Sequence, residues 1–191
     1  MSGLPLPCNH IGITVPDVFA AIDWYSEVFG LTVLLPPRVL EPDSHAEARS
    51  ALGPRFRKAW QAHLLTGNGT GIEVFEFLDP RPESAEAAVP FVRRGSWHIC
   101  LTHPDIPGVL DRAVSRGGVV LSEPAFFVPG RPWQLAYLAD PWGLVWEVMN
   151  GTYAEVFANW PQPGQTEPPV FARRRVVRDE GVFVNNEGEN E

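Results

Sequence analysis

The chain has 191 residues, 45% hydrophobic and 20% charged, enough apolar material for one ordinary domain and against global disorder. Its 23 acidic against 15 basic residues give a net charge of -8, so nucleic acid and anionic membrane surfaces are poor partners. No apolar run is long enough to cross a bilayer, the first residues lack a basic start and long apolar centre, and the two cysteines are not in a metal-type spacing; a cytoplasmic protein with reduced thiols is expected.

In chain order, Asn9 to Val15 alternates as a strand, with Ile11, Ile13 and Val15 on one face and His10, Gly12 and Thr14 on the other. Asp17 is a good N-cap for a helix over Val18 to Phe29, in which Ala21, Trp24, Tyr25, Val28 and Phe29 recur at helical spacing and Gly30 supplies the stop. Leu31 to Leu35 reads as a second strand. Pro36 to Arg57 reads as an irregular insertion with a short helix near His45 to Leu52. Strands follow over Lys58 to Leu65 and Ile72 to Leu78, turned at 66–71.

Asp79 to Arg94, broken by Pro80, Pro82 and Pro90, reads as a hinge, after which the pattern begins again. Trp97 to Thr102 is a strand carrying His98, and Ile106 to Arg116 is a helix ended by Gly117-Gly118. Val119 to Leu121 is a strand, and a turn at 129–132 leads to a hairpin of Trp133 to Leu138 with Leu144 to Met149. Each half thus reads strand, helix, strand, strand, strand. The histidines lie farther apart than Glu73 and Glu147, by about the extra loop of the first half.

The fold class expected is α+β, with two βαβββ modules of about 8–78 and 96–150 in a single domain of 1–150. Residues 151–191 form a C-terminal arm, apolar enough to pack on something and partly disordered at its end. Strand parity puts His10, Glu73, His98 and Glu147 on faces opposite those under the helices, where they would line a cleft. Two inward carboxylates near each other repel, and a cation removes that cost. The mixed nitrogen and oxygen donors suit one divalent ion, Zn, Ni, Co, Mn or Fe. Phe75 and Phe77 share the parity of Glu73 and suggest an apolar wall for a substrate with hydrocarbon or aromatic bulk. Cys8 and Cys100 share the parity of their histidines, with inert thiols the plainer reading. Arg131 and Trp133 follow a Pro-Gly turn, as on a lid meeting an anionic or planar substrate, and Tyr137 offers a hydroxyl to orient it. His63 reads as an ordinary strand histidine, with acid–base work the alternative.

His10 before Gly-Ile-Thr-Val, an Asp-started helix ending in Phe29-Gly30-Leu31, and Asp140-Pro141-Trp142-Gly143-Leu144-Val145-Trp146-Glu147 resemble the two module signatures of the vicinal oxygen chelate superfamily, over roughly Cys8 to Asn150. The resemblance implies a half-open, eight-stranded cleft around a metal held by His10, Glu73, His98 and Glu147, with two positions left for vicinal oxygens of a small-molecule substrate. It implies glyoxalase- or epimerase-type proton transfer through a metal-stabilised ene-diolate, a lyase or isomerase reaction in which Glu73 or Glu147 is the catalytic base. It also implies a homodimer. The alternatives are an Fe(II) extradiol-type dioxygenase, which needs no acid at position 73, and a non-catalytic antibiotic-binding or resistance protein, whose kind tends to lack the metal ligands.

Overall fold

A computed structural model describes residues 6–43, 45–82 and 94–157. The chain divides into a unit over Met1–Gly151 and a second over Thr152–Glu191. In the second, the described part is one short helix, Tyr153–Phe157, whose first turn is capped through Thr152 and Glu155. The rest of the expected arm, and residues 83–93 of the expected hinge, lie outside the described residues.

The first unit runs β1 (His10–Thr14), α1 (Val18–Phe29), β2 (Thr32–Leu40), α2 (Ala46–Leu52), β3 (Lys58–Leu65) and β4 (Gly71–Asp79). It continues with β5 (Ile99–Thr102), α3 (Ile106–Ser115), β6 (Val119–Val120), β7 (Ala125–Phe126), β8 (Gln134–Ala139) and β9 (Val145–Met149). One sheet has the order β1-β4-β3-β2 and the other β5-β9-β8-β6, with β7 pairing β8 as a ninth strand. In each half the first strand lies parallel to the last, and the others are antiparallel. This is the expected pair of βαβββ modules, with one short strand added.

The helices start and stop for local reasons. Asp17 accepts from the Ala20 N–H at 3.0 Å and Asp105 from the Gly108 N–H at 3.0 Å, each satisfying a donor that the first turn leaves orphaned. Gly30 closes α1 at φ 70°, a left-handed conformation that suits glycine. Glu76 on β4 also accepts from the Val18 N–H at 3.1 Å, so the one carboxylate of β4 on the α1 side meets the positive end of that helix.

β2 departs from expectation. Position 35 does not end it; the strand continues through Pro36 and Pro37 to Leu40, with register shifts against β3 on the way. β2 is an edge strand: of its two successive prolines one lacks an N–H on the open side, where no ladder bond is lost, and the other falls where the register with β3 shifts. Val33, Leu34 and Leu35 are exposed on it. The insertion is correspondingly shorter. It packs Ala48 and Phe56 with Leu40 and Ala59 in a small second cluster.

One main core joins both halves. From the first come Val18, Tyr25, Val28, Ile72 and Val74; from the second come Val109, Leu138, Trp146 and Val148. The α1 rings reach across, Tyr25 to Trp146 at 5.2 Å and Phe29 to Trp146 at 4.7 Å between centroids. Burying each such side chain stabilises by about 1.5–3 kcal/mol. Asp140, buried in the turn before β9, fixes this junction. It accepts from the Tyr25 hydroxyl at 2.7 Å, the Trp146 Nε1–H at 3.2 Å, and the backbone N–H groups of Trp142 and Leu144 at 3.0 Å. Four donors satisfy a buried charge that would otherwise be costly. Burial, then the Asp140 charge and hydrogen bond, pushes the Tyr25 phenol well above its usual range, so it stays a donor.

Candidate functional site

The modules place equivalent side chains by equivalent registers. In the first, Gly12 pairs with Glu73 across β1 and β4, and His10 stands two residues earlier on β1. In the second, Cys100 pairs with Glu147 across β5 and β9, and His98 stands two residues before Cys100. On the other side of each glutamate, His63 of β3 faces Glu73 and Tyr137 of β8 faces Glu147. The chain therefore has two versions of one arrangement: Asn9, His10, Gly12, His63 and Glu73 in one half; Trp97, His98, Cys100, Tyr137 and Glu147 in the other.

His10 Nε2 lies 3.6 Å from Glu73 Oε2, and His63 Nδ1 lies 3.6 Å from Glu73 Oε1. His10 Nδ1 is 2.8 Å from Asn9 Oδ1. A carboxamide oxygen only accepts, so in this contact the His10 Nδ1–H donates, and Nε2 is the ring nitrogen left facing Glu73.

In the second half His98 Nε2 is 3.0 Å from Glu147 Oε2, while its buried Nδ1 has no hydrogen-bond partner among the described residues. The His98 ring lies edge-on to Trp97 and Tyr137, at 4.1 and 5.7 Å between centroids, and those two rings stack on each other at 5.4 Å. Tyr137 and Cys100 are the cross-strand neighbours of Glu147, and the Cys100 thiol donates to the Leu101 carbonyl at 3.8 Å. Partial enclosure first, and then the Glu147 charge, raises both: the phenol to about 12 and the thiol to about 12. Cys100 nonetheless keeps an exposed surface.

Donors about 2.1 Å from a metal and at right angles to each other lie about 3 Å apart. The 3.0 Å and 3.6 Å spans therefore suit neighbouring coordination positions. Among the described residues no three His, Cys, Asp or Glu side chains converge closely enough to hold an ion. The four expected ligands stand as two pairs, each pair complete within its own sheet.

Phe75 and Phe77 stack on each other at 5.5 Å and pack against the cluster of Leu40, Ala48, Phe56 and Ala59. Phe75 also reaches the β1 side: a Cβ built on Gly12 would meet its ring at 3.8 Å. Arg131 lies over the Trp133 ring, 5.4 Å from its centroid, on the loop before β8. Cys8 is exposed ahead of β1. Asn9 escaped the sequence reading, and His63 was discounted by it. The hairpin signals His63, since 63 and 73 lie equally far from Asn68 at the turn and so must oppose each other.

The model of the Glyoxalase/Bleomycin resistance protein/Dioxygenase superfamily matches residues 8–148. A 2-epi-5-epi-valiolone epimerase from Actinomyces sp. is 26% identical over 210 residues, covering 98% of this chain and 99% of that protein. A glyoxalase family protein from Bacillus cereus superposes with a TM-score of 0.64 at 20% identity, over 77% of this chain and 95% of its own. Glyoxalase I from Zea mays gives 0.53 at 21% identity, over 75% of this chain and 44% of its own. These structural likenesses show the fold. The family match spans both histidine–glutamate pairs, and by it the chain belongs to the glyoxalase, bleomycin resistance protein and dioxygenase superfamily.

Proposed function

We propose that the protein is a metal-dependent epimerase of a small polyhydroxylated ketone, moving a proton at a carbon beside the carbonyl. The observation that carries this reading is the repeated register of His10 with Glu73 and His98 with Glu147. The end-to-end likeness to an epimerase of a valiolone supports the substrate class.

His10, Glu73, His98 and Glu147 are the donors that would hold the ion. When bound, a divalent ion supplies Lewis acidity that polarises a carbonyl and eases loss of the neighbouring proton. The chain's own groups do the rest. A carboxylate takes the proton from one face of the carbon, and a donor returns it to the other. The carboxylates are Glu73 and Glu147. Tyr137 stays protonated well above neutral pH and can donate to a substrate oxygen. Phe75 and Phe77 would supply apolar surface, Cys100 would border the substrate, and Arg131 with Trp133 would form an outer wall.

The test is to incubate protein reconstituted with Zn, Ni, Co, Mn or Fe with 2-epi-5-epi-valiolone in deuterated water. Deuterium at the carbon beside the carbonyl, with appearance of the epimer, is expected by NMR. Absence of both with every metal, alongside Fe(II)-dependent oxygen uptake with catechols, would replace this reading with the dioxygenase.

A further inference from the structure

Aromatic rings stand beside one glutamate and not the other. Trp97, just ahead of β5, stacks on Tyr137 of β8 at 5.4 Å between centroids, with the planes 28° apart. His98 meets the two rings edge-on, at 71° and 87°. Tyr137 is the cross-strand partner of Glu147, and His98 Nε2 lies 3.0 Å from that carboxylate, so the stack borders the second histidine–glutamate pair. Both stacked residues are only partly buried. The equivalent positions of the first half hold Asn9 and His63, which offer polar groups instead. Phe75 and Phe77 lie farther along β4, packed against the small second cluster.

We infer that Trp97, backed by Tyr137, is a specificity-determining residue whose indole carries the C–H face of a hydroxylated carbocyclic ring beside Glu147. This rests on the epimerase reading above and deepens it by naming the face of the substrate that the protein grips. The physical reason is complementarity. An aromatic face carries the negative lobe of a quadrupole. The C–H face of a polyhydroxylated ring is apolar and faintly positive, because its carbons bear oxygen. Stacked rings have few torsions to freeze, so the contact costs little conformational entropy. An open-chain ketone presents no such flat face, so the stack favours cyclic substrates.

The experiment uses the full chain and 2-epi-5-epi-valiolone, with thermal melts to confirm that each variant folds. Binding is read by calorimetry and saturation-transfer NMR, without added metal and with Zn2+, and turnover by the appearance of the epimer. Trp97→Ala should weaken binding and raise KM by about 10-fold, with a much smaller change in kcat, as for a contact shared by ground and transition states. Trp97→Phe, which keeps a flat ring, should recover most of that loss. Trp97→Leu, apolar but not flat, should behave as Trp97→Ala and replaces it should that variant not fold. Saturation of the aromatic protons should pass most strongly to the ring C–H protons, and this transfer should fade in Trp97→Ala. Unchanged binding and KM in Trp97→Ala, a loss confined to kcat, or a loss that Trp97→Phe does not recover overturns the role of Trp97 while leaving the epimerase reading standing. If no metal supports turnover yet the compound binds in a Trp97-dependent way, the epimerase reading fails and the role of Trp97 stands. No binding of the compound with or without metal overturns it.

Discussion

A thiol that faces a buried carboxylate keeps its proton, and Cys100 shows the consequence. Its enclosure and the Glu147 charge lift it from the ordinary value near 9 to about 12. In the unfolded chain the same thiol ionises near 9, so the proton is held more tightly in the fold. The stability this lends is complete below about pH 9 and is lost as the pH climbs toward 12. Reactivity follows the thiolate. In a Cys8→Ser background, alkylation of Cys100 by iodoacetamide at about pH 8 should be much slower in the folded protein than in urea. It should accelerate toward pH 12, and Glu147→Gln should speed it at pH 8. Equal folded and unfolded rates would refute the assignment. None of this was legible from position 100 alone. Alternation places the sulfur on the face of His98, but only the β5–β9 register puts Glu147 against it.

Elements were legible wherever local chemistry decides them. α1 begins after Asp17 and ends at Gly30 as the cap residues dictate, and the β3–β4 turn follows from its glycines. β2 was misjudged because a proline pair normally ends a strand; the open edge that tolerates it is a property of the sheet. The approach of β1 to β4 is likewise a matter of pairing. Gly71 opens β4 opposite His10 and donates its N–H to the Asn9 carbonyl at 2.9 Å. A Cβ there would come within 3.0 Å of the His10 Cβ. On the metal-dependent reading proposed above, Gly71→Ala should therefore displace the imidazole and weaken metal binding by about 10-fold, while overpacking costs stability by about 1 kcal/mol. Calorimetry and thermal melts read the two effects; unchanged affinity would show that His10 can absorb the methyl group without moving away from Glu73.

At the scale of the molecule, the repeat does not make two independent folding units. α1 packs its aromatic rings on Trp146 of the other half, and Asp140 ties Tyr25 to the turn before β9. A chain ending at position 82 would lose those partners and expose one side of α1. It should show no cooperative thermal transition as a monomer by circular dichroism; a sharp monomeric transition would contradict the shared core. Among the described residues no helix is long and apolar enough to cross a membrane. The amino-acid order by itself determined the duplicated βαβββ pattern, the helix caps and the face on which His10, Glu73, His98 and Glu147 sit, because period and capping are local. Only the tertiary structure decided what each glutamate meets on its parallel neighbour strand, a bare glycine on one and a thiol on the other. The hairpin partners His63 and Tyr137 follow from the turns, whereas parallel register joins residues far apart in the chain, and no local pattern specifies it.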